Sequence, residues 1–69
     1  MAELPFANRP SRKLTEEDAI QIWILLLQGM HQHKIAALYG VNQGRISEIK
    51  TGKRFPGAKM KAMRQLGLI

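Results

Sequence analysis

The sequence contains no cysteine, which excludes disulfides and thiolate metal sites, and its two histidines come without a spaced set of further ligands. Packing alone must hold the core, and neither a metal nor a cofactor is expected. Long apolar runs are missing too. The longest, Ile22 to Leu27, is far too short to span a bilayer, and the carboxylates of Glu16, Glu17 and Asp18 just before it do not resemble a signal peptide. A cytoplasmic, nucleoid-associated protein is the expectation. There is also no nucleophile paired with a base, no carboxylate dyad and no phosphate-cradling loop, so an enzyme is not expected. With 69 residues there is room for one compact domain and none for a second, catalytic or ligand-sensing one, so no small-molecule ligand is expected either.

What the chain does have is enough apolar material, 45%, for a folded core, and a lopsided charge. Up to Met30, Arg9, Arg12 and Lys13 stand against Glu3, Glu16, Glu17 and Asp18. From His31 onward, Lys34, Arg45, Lys50, Lys53, Arg54, Lys59, Lys61 and Arg64 stand against Glu48 alone. Such a basic half is an electrostatic footprint for a polyanion. A cationic membrane-active helix would share the charge, but the acidic start of the first helix and the internal glycine turns oppose it, and no membrane partner is expected.

Residues 1–13 carry Pro5, Pro10 and a basic cluster without periodicity, and read as a flexible arm. The remainder, 14–69, reads as an all-α domain with helices over about 15–28, 32–39, 42–51 and 58–66. Thr15 and Asp18 fit a capping box at the start of the first, and Gly29 offers its stop. Ile20, Trp23, Ile24 and Leu27 recur at helical spacing, with Ile22, Leu25 and Leu26 widening the stripe, so Trp23 is expected in the core rather than as a stacking platform. Ile35, Ala36, Leu38 and Tyr39 mark the second helix, Ile46 and Ile49 the inner face of the third. In the fourth, short and C-terminal, the spacing selects Met60, Met63 and Leu66.

Only Gly40, Val41 and Asn42 separate the second helix from the third, so the two must cross steeply. Ala36 permits close approach, Gly40 can take a positive φ, Asn42 suits an N-cap, and Ile46 and Ile49 anchor the next helix. On this spacing the stretch LTEEDAIQIWILLLQGMHQHKIAALYGVNQGRISEIKTGKR, from Leu14 to Arg54, resembles the helix-turn-helix family. It is similar to the DNA-binding domains of resolvases and invertases and to small bacterial or phage regulators. The resemblance implies a three-helix core whose third helix reads the major groove of double-stranded DNA. It also implies that Gln32 is aimed at a phosphate, and that Arg9, Arg12 and Lys13 form a minor-groove arm of the Gly-Arg-Pro-Arg type, although Asn8 stands where glycine is usual. Gly44 replaces a frequent hydroxyl residue, and His31 a frequent serine N-cap.

If Ile46 and Ile49 point inward, the base-reading candidates are Gln43, Gly44, Arg45, Ser47 and Glu48. Glu48 has two readings, an acceptor for a cytosine amino group or a salt-bridge partner for Arg45 or a lysine. The candidates for the DNA backbone are Gln32, His33, Asn42, Lys50, Thr51, Lys53 and Arg54. His31 and His33 read as exposed or phosphate-touching, not as a metal pair. The expected function is transcriptional regulation, as a repressor or autorepressor, with an accessory or architectural role in recombination or excision as the second class. Met60, Met63, Leu66, Leu68 and Ile69 at the C-terminal end offer a surface for a homodimer.

Overall fold

The computed structural model describes residues 13–69, and these are all-α: α1 (Glu16–Leu27), α2 (Gln32–Tyr39), α3 (Gln43–Lys50) and α4 (Ala58–Gln65), with no strand among the described residues. Of the expected arm, Arg9 and Arg12 lie outside them. None of the described helices is long and apolar enough to cross a membrane.

The start of α1 is fixed by the reciprocal pair that its sequence announces. The Asp18 amide donates to Thr15 Oγ1 at 3.2 Å and the Thr15 amide to Asp18 Oδ2 at 3.0 Å, which satisfies two amides that a helix start otherwise leaves open. Leu14, just ahead of this cap, is buried in the same cluster as Ala19. The helix ends are closed alike. Beyond α1 the Gly29 amide donates to Leu26 and the Met30 amide to Leu25, and corresponding pairs of bonds bracket Gly40, Gly52 and Gly67. All four glycines have positive φ, the hallmark of the Schellman closure. At Gly40, with φ +65 and ψ +35, this closure does more than end a helix, because it turns the chain into α3 within three residues.

α1 lies at the centre and contributes Ala19, Ile20, Ile22 and Trp23 to the core. Ile35 and Ala36 enter from α2, Ile46 and Ile49 from α3, Ala58 and Ala62 from α4, and no polar side chain is buried among the described residues. Ile22, Ile35, Ile46 and Ile49 are fully buried. Each such side chain stabilises by about 1.5–3 kcal/mol relative to exposure, an upper estimate. The ion pair between Lys61 Nζ and Glu16 Oε2, at 3.0 Å with both side chains about half exposed, contributes at most about 1 kcal/mol. Packing therefore holds α4 against α1.

The inner face of α4 differs from the one selected by sequence spacing. Ala58 and Ala62 are fully buried, whereas Met63 is half-buried and Met60 and Leu66 are exposed. The reason is size. α1 offers the bulky Trp23 to the core, and small facing side chains let two helices approach closely. Lys59 then closes over the outside of the Trp23 ring, its Nζ 5.2 Å from the ring centroid. In α2 the outcome is similar. Leu38 faces solvent, and Ile35 and Ala36 alone are fully inward.

Candidate nucleic-acid interface

α3 is positioned from both ends and from below. At its start, Asn42 Oδ1 accepts from the Gly44 amide at 2.6 Å, and the Arg45 amide donates to the Asn42 carbonyl at 2.9 Å. Underneath, Ile46 and Ile49 have no exposed surface. Helical geometry then turns Gly44 and Thr51 directly away from the core, with Ser47 and Glu48 beside them and Gln43, Arg45 and Lys50 on the flanks. Gln43, Gly44, Lys50 and Thr51 are exposed, while Arg45, Ser47 and Glu48 are half-buried.

A Cβ built at Gly44 would lie 3.2 Å from Asn42 Oδ1, a contact that a shift of a few tenths of an ångström in the capping side chain relieves. As glycine, the residue brings the helix backbone itself to the outward surface of α3.

At the far end the chain folds back on Glu48. Its backbone carbonyl accepts from the Lys53 amide at 3.0 Å, the Arg54 amide at 3.2 Å and the Thr51 hydroxyl at 3.3 Å. Its carboxylate accepts from Arg54 Nε at 3.1 Å. Of the two readings of Glu48, the structure supplies a salt bridge, and the partner is Arg54 in place of Arg45 or a lysine. Sequence reasoning missed this pair because the six-residue separation crosses a turn, outside the three- and four-residue spacings that bring side chains together on one helix.

At the start of α2, His31 occupies the N-cap position without a side-chain cap bond, as its departure from serine suggests. Gln32 is half-buried and His33 exposed, and the imidazoles of His31 and His33 stack with centroids 5.7 Å apart. Lys34 follows, exposed, a cation that the sequence reading counted only as charge. A shallow, open concavity of ≈ 370 Å³ adjoins these residues, lined by Leu25, Gln28, Met30, His31 and Lys34 among others. Among the described residues, no group of three or more His, Asp or Glu side chains is placed to hold a metal.

The cations sort into two sets. Lys59 covers Trp23, Lys61 pairs with Glu16 and Arg54 with Glu48. Lys34, Arg45, Lys50, Lys53 and Arg64 have no carboxylate partner among the described residues. Lys13, the described end of the expected arm, is exposed.

No protein-family model, no curated protein and no solved structure matches the chain.

Proposed function

We propose that the chain is a sequence-specific double-stranded DNA-binding protein, a transcriptional repressor or autorepressor, in which α2, the turn at Gly40 and α3 act as a helix-turn-helix. The observation that carries this reading is the three-residue turn, opened by the left-handed Gly40, that leads into α3. That helix is pinned by Ile46 and Ile49 and leaves Gly44, Ser47 and Thr51 outward with Gln43 on the flank, rimmed by Arg45, Lys50 and Lys53, which have no carboxylate partner among the described residues. An α-helix fits the major groove, where Gln43 suits adenine and Arg45 guanine, while Lys50, Thr51, Lys53 and the α2 start at Gln32 and His33 suit phosphates. Arg9, Arg12 and Lys13 extend the same reading into the minor groove.

One eight-residue reading helix covers only a few base pairs, so useful specificity calls for two copies on an inverted repeat. Exposed Met60, Leu66, Leu68 and Ile69 offer the apolar surface for that pairing. Selection of bound sequences from a random duplex pool at fixed salt is the test. A palindrome with half-sites about one helical turn apart is expected. Binding that shows no preference over random duplex would sink the regulator reading.

A further inference from the structure

We infer that Glu48 is a positioning residue for Arg54 and not a base reader, an inference that rests on α3 lying against DNA. A free carboxylate there repels phosphates, and it does so more strongly as docking excludes water. Glu48 is not free: its Oε1 lies 3.1 Å from Arg54 Nε. A base-reading acid needs an acceptor oxygen available to a cytosine amino group, whereas Oε1 here is already engaged by Arg54 of the returning chain.

The guanidinium gains what the carboxylate gives up. It has five N–H donors in a rigid plane, and the Nε–H to Glu48 engages one of them. The four on the Nη atoms remain, and the Arg54 side chain is 45% exposed. A guanidinium held along one edge presents the rest of its fork to a phosphate with its rotamer already restricted, which reduces the entropy lost on contact. The backbone acts in the same direction. The Glu48 carbonyl takes the amides of both Lys53 and Arg54 and the hydroxyl of Thr51, so one residue gathers the whole turn from Thr51 to Arg54 at the end of α3. Cutting the carboxylate away leaves these backbone bonds intact, which allows the side-chain role to be tested separately.

The experiment uses the full chain with Glu48→Gln, Glu48→Ala, Arg54→Ala and the Glu48→Ala/Arg54→Ala double variant. Each is titrated against the selected site and against each single-base change within it. Arg54→Ala is expected to weaken binding about tenfold on every sequence alike, and only about threefold or less when Glu48 is already alanine. Glu48→Gln is expected to leave the preferred bases unchanged. Equal losses for Arg54→Ala in both backgrounds would overturn the inference. So would a new preference at one position in Glu48→Gln, since glutamine seeks adenine. Thermal melting of each variant separates loss of contact from loss of fold. A wild-type chain that binds no duplex overturns the DNA reading and this inference together; independent losses in a chain that does bind overturn this inference alone.

Discussion

Phe55 is the one described residue other than glycine with a positive φ, +54, immediately before Pro56. A left-handed backbone costs a residue with a Cβ about 1–2 kcal/mol, and a residue preceding proline favours extended conformations. Its ring is half-buried against the core, and that burial offsets the strain. Phe55→Ala and Phe55→Gly both remove the ring, but only glycine relaxes the backbone. Phe55→Gly is therefore expected to be the more stable of the two by about 1 kcal/mol, the reverse of the usual order in a helix, read as a urea midpoint difference. Nothing in the sequence announced this conformation. The Pro-Gly pair signals an interruption, whereas the left-handed state of the preceding residue depends on where the core receives an aromatic ring. Asn42 was legible by contrast, because an N-cap acts on amides two or three residues away and needs no tertiary partner.

At the scale of elements, legibility follows the size of the side chains. All four helices could be read to within a residue or two of their ends, since caps, glycines and aliphatic spacing are local signals. The inward face of α3 was legible from its isoleucines, and that of α1 in part: Ile20, Ile22 and Trp23 are buried as their pattern suggests, but Leu27, on the expected stripe, is exposed, and Ala19 takes an inner place instead. The inward face of α4 was not legible, because alanines at Ala58 and Ala62 carry little hydrophobic signal and the methionines and leucine around them carry much. The seam between α1 and α4 depends on that smallness. Ala62→Leu is expected to destabilise the fold by about 1–3 kcal/mol through overpacking, while Met60→Leu, at an exposed position, changes stability by less than about 0.5 kcal/mol. Chemical denaturation of the two variants side by side checks both. Equal effects would mean that α4 is not seated by its alanines. In the candidate interface, the outward face of α3 was readable from Ile46 and Ile49, whereas the turn organised by Glu48 was not, because it requires the chain to reverse past Gly52.

For the whole molecule, the formal charge of +6 is the simplest expectation of affinity for a polyanion, and it treats all cations as equal. The fold does not. Lys59 lies over Trp23 and Lys61 is joined to Glu16, both on the α1–α4 seam, whereas Lys50 and Lys53, at the end of α3, have no carboxylate partner among the described residues. Association with DNA expels the ions condensed on the phosphates, and each phosphate neutralised steepens the dependence of log affinity on log salt by about 0.9. Lys53→Gln is expected to make that slope shallower by about one, and Lys61→Gln to leave it unchanged. A slope that responds equally to both would mean that every lysine contributes in proportion to its charge alone. On the expected result, the cations on the α1–α4 seam form no part of the ion exchange that drives binding, and since packing holds α4, buffer composition would act on α3 without loosening it.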